Sequence, residues 1–489
     1  MRPARSPEFV AARRSEEQSR DARIDSPARC RDRAQAADLR RHRGSGMNAS
    51  TPATAIAPHR PRPPLPALSE HRIARFAAII VLYFLQGVPL GLVLVALPGW
   101  LAENGASPIA IGGFVGIAML PWSTKLFNGL VMDRFTFKPM GRRRGWILLA
   151  QGLMVIALLA MALAAPGAGD IALLTAFCFA LNLCVTFSDV AVDGMTVDIV
   201  PEAERTAINS LMFASQAFGV AACSFLAGQL LGSGSMTTTA LVLAAMVTSA
   251  SLFVALFRER PGERLLPWTR GRASRECEDR QHAAWWPILS GVLRSVVAPR
   301  TVLFLLATGC AQAAFAFIDA VNPTLAVQQL GWSSESYASF GAMLNLVSAC
   351  LALFVPILLV RWFGLQRTVI GHFLALAVLA TVAGATYAGW QDDSLFMALT
   401  LALYVLGVLH TVVLIVWAMR ISNPAIAASQ FALFMAVPNL SRSMMAGNSG
   451  WLVEGAGYAT TYYVVAGITV LGALLCLLGR VGDERQIAA

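Results

Sequence analysis

The chain has 489 residues, 56% of them hydrophobic and 13% charged, with a mean hydropathy of +0.60. That excludes an ordinary water-soluble domain and points to a membrane protein. Lys and Arg outnumber Asp and Glu by 38 to 28, but the excess sits in short segments between apolar runs and forms no basic face, so nucleic acid is not an expected partner. Six of the eight cysteines (Cys178, Cys184, Cys223, Cys310, Cys350 and Cys476) stand singly in apolar runs, with no C-x-x-C among them. They read as small buried residues, implying neither disulfides nor a metal site.

In chain order, residues 1–46 come first, rich in Arg, Ser, Ala, Asp and Glu and poor in aliphatic residues. They cannot bury a core and are expected to be disordered, and they lack the apolar stretch of a signal peptide. Met47 opens a more conventional leader, read as the start of translation, and "PHRPRPPLP" follows as a stiff linker.

A helix needs about 20 apolar residues to cross the hydrocarbon layer. Twelve segments meet that length, at 73–100, 107–131, 144–165, 170–200, 203–231, 236–257, 299–326, 335–361, 365–388, 393–419, 424–452 and 458–479. Gly87 and Pro89 in the first and Pro121 in the second favour bending. The 258–298 connection divides the twelve six and six, and it carries "HAAWWPILSGVLRSVV", a pattern that suits a short interfacial helix. The expected fold is an all-α membrane protein of two six-helix bundles. Its parts are a disordered tail (1–70), an N-terminal bundle (71–257), a linker (258–298), a C-terminal bundle (299–480) and a tail (481–489).

Alternate loops hold the cations, including five between the second and third segments and nine Arg from 258 to 300. The other set ("AENGAS", "APGAGD", "LGSGSMTT", "QQLGWSSES", "GWQDDS", "VEGAGYAT") holds no Lys or Arg. The positive-inside rule therefore places both termini in the cytoplasm.

The most heavily charged loop reads "GLVMDRFTFKPMGRRRGW". An Asp-Arg followed by Gly-Arg-Arg-Arg at this place resembles motif A of the major facilitator superfamily. The resemblance implies a conformational latch built from Asp133, Arg134, Gly141, Arg142, Arg143 and Arg144, with the Asp facing a helix N-terminus whose dipole favours an anion. Six residues separate the two halves of the motif. That spacing, with "SDVAVDGMTVDIVPEAER", "IDAVNP" and "ASQFALFMAVPNLSR", is similar to the muropeptide permease and acetyl-coenzyme A transporter branch. Phe127, Asn128 and Gly129 depart from it, standing where the permeases have a Trp and a Pro. "VRWFGLQR" occupies the corresponding loop of the second half and is weakly like the first.

Ionisable groups inside spans are costly and mark functional sites unless they reach the interface. Lys125, one of two lysines in the chain, lies about 12 Å from the boundary set by Asp133. Asp189 and Asp193 share a helix face, and Asp193 matches Lys125 in depth. A Lys125–Asp193 pair is expected, read either as a proton-coupling element or as structural packing, with Asp189 deeper and less compensated. Asp319 has no basic neighbour in sequence and is expected in substrate binding or proton coupling. Gln86, Asn322, His410 and Arg442 are candidates for the substrate cavity. His410 is read also as a packing residue, and Arg442 also as the partner of an acid on a neighbouring helix.

No H-E-x-x-H, G-x-S-x-G or His/Cys cluster is present, so an enzyme is not expected. The expectation is a monomeric secondary transporter of the bacterial inner membrane, without cofactor and driven by the proton gradient. Its resemblance implies a bulky polar solute of the muropeptide class, with a siderophore or an exported small molecule as the alternative.

Overall fold

The computed structural model describes residues 67–279, 297–390, 393–421 and 427–478. Residues 1–66 of the expected 1–70 tail, the 481–489 tail and most of the expected interfacial helix lie outside the described residues, while 67–70 are ordered against 258–259 and so are not part of a disordered tail. Ten helices follow in order: α1 (Arg72–Glu103), α2 (Pro108–Arg134), α3 (Arg144–Ala164), α4 (Ile171–Ile199), α5 (Glu202–Gly232), α6 (Met236–Ala255), α7 (Pro299–Gln329), α8 (Ser334–Ala352 with Val355–Phe363), α9 (Leu365–Gly389) and α10 (Asp393–Ile421). The last helical stretch, Ala427–Leu478, has 52 residues. At 1.5 Å per residue it is about 78 Å long, more than twice the hydrocarbon thickness of about 30 Å. Gly457, at φ 82 and ψ 166, interrupts it in a conformation that a side chain disfavours. Two helices result, α11 (427–456) and α12 (458–478), in the region where two of the spans were expected.

The halves repeat each other in their irregularities. Proline removes a backbone donor from a helix and loosens the turn around it. Pro89 in α1 precedes a π-turn at Leu92–Ala96, and Pro323 in α7 precedes one at Leu325–Gln329. α2 and α8 both start from a serine cap, Ser107 and Ser333, that satisfies a free N-terminal amide. Both then lose regularity at a proline. α2 tightens to a 3-10 turn at Leu120–Thr124 around Pro121, and α8 bends by 44° next to Pro356.

For orientation, the end bearing the Arg-rich loops is called the basic end, and the other the cation-free end. The bundles meet at the cation-free end. Gly112 and Gly116 of α2 lie against the backbone of α11 from Ser443 to Gly450, and Gly228 of α5 lies against Ala338 of α8. Lipid gives helices no hydrophobic reason to associate, so close approach at small residues is what holds them. Hydrogen bonds reinforce the seam: Ser443 Oγ donates to the Gly116 carbonyl (2.5 Å), and Gln328 Nε2 to the carbonyls of Ala102 (2.9 Å) and Ala106 (2.8 Å). Ser334 binds Glu103, and the Ile109 amide donates to Glu454 Oε1 (3.3 Å).

Candidate functional site

Among the described residues an ion pair lies deep within the spans of each bundle. In the N-terminal bundle Lys125 Nζ of α2 lies 2.6 Å from Asp189 Oδ2 of α4. Asp193 instead accepts a hydrogen bond from the Tyr83 hydroxyl of α1. The expected Lys125–Asp193 pair is thus corrected to Lys125–Asp189, and Asp189 is the compensated acid. The reason is geometric. Helical side chains lean toward the N-terminus of their own helix, and the long lysine on α2 reaches about one turn toward the cation-free end. That is where Asp189 lies relative to Asp193.

Neighbouring groups fix the pair. The Lys125 ammonium sits 4.7 Å from the Trp122 ring centroid, in cation–π contact. Trp122 Nε1 in turn donates to Asn182 Oδ1 (2.9 Å). Asn128 Nδ2 donates to Thr186 Oγ1 (3.0 Å), tying α2 to α4 one turn further on.

In the C-terminal bundle Arg442 of α11 pairs with Asp319 of α7, so the acid that lacked a partner in sequence has one in space. The guanidinium lies 4.9 Å from the Phe315 ring centroid. Gly407 of α10 makes room for that ring, since a Cβ there would come 2.6 Å from Phe315. Tyr404 donates to Asn345 Oδ1 (3.0 Å) and Tyr462 to Asn322 Oδ1 (3.0 Å). Gln86 accepts from Gln216 Nε2 (3.3 Å). Asn322 and Gln86 are therefore already bonded within their own bundles.

In both pairs the cation is the more open member. The Lys125 and Arg442 side chains are 15% and 18% exposed, against 4% and 8% for Asp189 and Asp319. These two cations stand on α2 and α11, the helices that touch across the bundle interface.

His410 is buried in the apolar cluster of the C-terminal bundle, its ring 4.2 Å from that of Phe373 and 5.7 Å from that of His372. Neither nitrogen of either histidine is hydrogen-bonded among the described residues.

At the basic end the charged loop divides its work. Asp133 lies 3.0 Å from both Arg142 Nη2 and Arg143 Nη2, and the same two arginines face Asp198 of α4 at 3.8 and 3.9 Å. Gly194 leaves the space that the Arg143 guanidinium fills. Arg134 is exposed. Arg144 is fully buried, donating from Nη1 to the Leu265 carbonyl (2.5 Å) and from Nη2 to the Ala255 carbonyl (2.8 Å).

An anion does stand at the N-terminus of α3, and it is Glu259. Glu259 Oε2 accepts from the amides of Arg143 (3.0 Å) and Arg144 (3.2 Å). Its only signal in sequence was an acid set among the arginines of "FRERPGER" after α6.

Gly141 sits at φ 98, and a Cβ there would lie 2.5 Å from Glu259 Oε2. Gly141→Ala is expected to cost about 1–3 kcal/mol in backbone strain and to lower the unfolding temperature of the purified protein. Gly113→Ala is the control, because a Cβ there meets nothing within 4 Å. Equal unfolding temperatures for the two variants would refute the steric requirement.

Paired bundles of membrane-spanning helices, with charge held inside each and a seam between them, define a membrane transporter. Residues 79–446 match the Major Facilitator Superfamily, and the chain belongs to that family. Over 425 residues it is 24% identical to the anhydromuropeptide permease of Escherichia coli (strain K12), spanning 83% of this chain and 80% of the permease. Over 384 residues it is 28% identical to a folate-biopterin transporter of Synechocystis, spanning 74% and 72% of the two chains. The crystal structure of the nucleoside transporter NupG superposes with a TM-score of 0.63 at 14% identity, covering 83% of this chain and 98% of that one.

Proposed function

We propose that the chain imports an anionic, bulky polar solute of the anhydromuropeptide class across the bacterial inner membrane, as a monomer driven by the proton gradient. The observation that carries this reading is the placement of Lys125 and Arg442. Each is the more open member of its ion pair, and the two stand on the helices that meet between the bundles. A solute carrying carboxylates on a short peptide would find one cation in each bundle, and Arg offers a bidentate grip. Similarity to the Escherichia coli permease supports the same solute class.

On this reading the basic end faces the cytoplasm and the glycine seam closes the outer side. The proton is carried by the N-terminal cluster. Asp189 and Asp193 are one helical turn apart with a single cation between them, and Asp189 holds it. Asp193, bonded to Tyr83, is the acid at which a proton relieves an unpaired charge.

Similarity to the folate-biopterin transporter favours a second reading, a pterin carrying glutamate carboxylates. Proteoliposomes holding the purified protein decide between them. Labelled anhydromuropeptide should accumulate under an imposed pH gradient and be displaced by unlabelled muropeptide but not by folate. Displacement by folate alone would reverse the order of the two readings, and outward movement only would make the carrier an exporter.

A further inference from the structure

We infer that Glu259 and Glu263 form a proton-sensitive clasp that positions the α2–α3 loop from the segment following α6. Residues 258–279 are folded onto the N-terminal bundle and do not form a free linker. The Leu68 amide donates to the Arg258 carbonyl (2.8 Å) and the Ser69 amide to that of Glu259 (3.1 Å), so the chain entering α1 pairs with the chain leaving α6. The Arg264 amide donates to the Pro139 carbonyl (2.6 Å), and the Cys277 thiol lies 3.9 Å from the Lys138 carbonyl. The Arg260 guanidinium donates to the Asp198 carbonyl at the end of α4 (3.2 Å).

Within this fold Glu259 does one job and Glu263 another. Glu259, with no exposed surface, accepts the first free amides of α3, where the helix dipole favours an anion. That contact fixes the backbone of Arg142 and Arg143 and so aims both guanidinium groups at Asp133 and Asp198. Glu263, equally buried, closes the segment on itself. Its Oε2 accepts from the Arg260 amide (2.9 Å) and its Oε1 from the Ser274 hydroxyl (2.8 Å). A hydroxyl donates to a carboxylate or accepts from a carboxylic acid, so this contact survives either protonation state. What changes with the proton is the second negative charge beside Glu259.

Among the described residues Glu263 is faced by Glu259, Arg260 and Cys277 and by Arg144 of α3, with Lys138 of the loop next to Cys277 and Asp198 of α4 next to Arg260. Burial, and after it the charge of Glu259, pushes Glu263 up to about 7. Burial pushes the Cys277 thiol up to about 11, away from neutrality. Because the folded clasp binds the Glu263 proton more tightly than the open chain does, the clasp is tightest at acid pH. It loosens as pH rises from the ordinary carboxyl range to about 7, and the loss is complete above that. Between pH 6 and pH 8 its equilibrium should fall about tenfold.

The inference goes beyond the solute reading and its test needs no substrate. Amide hydrogen exchange is followed on the full chain in lipid nanodiscs at pH 6 and pH 8, with rates corrected for the intrinsic pH dependence. Protection of the Arg143 and Arg144 amides is expected to drop about tenfold between the two pH values, and Glu263→Gln to flatten that drop to less than twofold. Glu259→Ala should expose both amides at either pH while amides of α4 and α7 stay protected. Glu259→Gln, which keeps an acceptor oxygen, should restore part of the protection. A pH-independent wild type, an unchanged pH dependence in Glu263→Gln, or full protection in Glu259→Ala would each overturn the inference. Should Glu259→Ala fail to fold, the Glu263→Gln profile decides.

Discussion

Lys125→Ala is expected to destabilise the protein by about 3–5 kcal/mol, because it leaves the Asp189 carboxylate buried without its cation. Lys125→Ala combined with Asp189→Ala should recover much of that loss, since removing both charges removes the penalty rather than adding to it. The combination with Asp193→Ala should recover little, for Asp193 is held by Tyr83 and Asp189 would remain unpaired. Folded yield and unfolding temperature of the three variants, in one detergent, measure the effect. Equal recovery from the two double variants would show that the ammonium serves both acids alike. Full stability of Lys125→Ala would show that the lysine reaches water and compensates nothing.

The second large effect concerns coupling. Asp193→Asn keeps an oxygen for the Tyr83 hydroxyl and removes the carboxyl proposed above to bind the proton. Uptake driven by a pH gradient is therefore expected to fall by about tenfold or more, to the level seen without a gradient, equivalent to about 1.4 kcal/mol or more in the barrier to gradient-driven uptake. Exchange of labelled for unlabelled solute across the proteoliposome membrane should persist, because Lys125 and Arg442 are untouched. Asp319→Asn acts elsewhere: it frees Arg442 from its internal partner, and its effect belongs in solute affinity rather than in the response to the gradient. If Asp193→Asn retains full gradient-driven uptake, the proton is carried by another group. His372 and His410 are then the next to replace, as neither is hydrogen-bonded among the described residues.

Span positions were legible because a helix that crosses a bilayer must be long and apolar, and that property is local in the chain. The predicted 144–165 and 170–200 meet α3 (Arg144–Ala164) and α4 (Ile171–Ile199) within a residue at each end. Partnerships were less legible. Asp189 and Asp193 lie on one helix face, so sequence spacing alone could not assign the lysine, and depth counted from the boundary chose the wrong acid. The direction in which a long side chain leans decided it, and that depends on which way the two helices run past each other. Asp319 and Arg442 are 123 residues apart and Glu259 lies 116 residues from Arg143. No local pattern announces such contacts. Gly141 could be singled out from its motif, but only the fold shows that its open side is filled by Glu259.

The closest approaches in the seam at the cation-free end are made by glycine and backbone. Side chains interlock around those approaches, for one apolar cluster runs through both bundles there, with Val95 on Gly341 and Tyr337 on Gly99, so parting the bundles would give up dispersion contacts while freeing rotamers. Such a joint loses enthalpy and gains entropy together as it opens, and polar contacts such as Ser443 to Gly116 and Gln328 to Ala102 add to the closed side. A solute that prefers the open position shifts the joint by as much as its differential affinity and no more. One added methyl group at Gly116 or Gly450, where a Cβ would press on the facing backbone, would act as a wedge, turning a reversible hinge into a propped door.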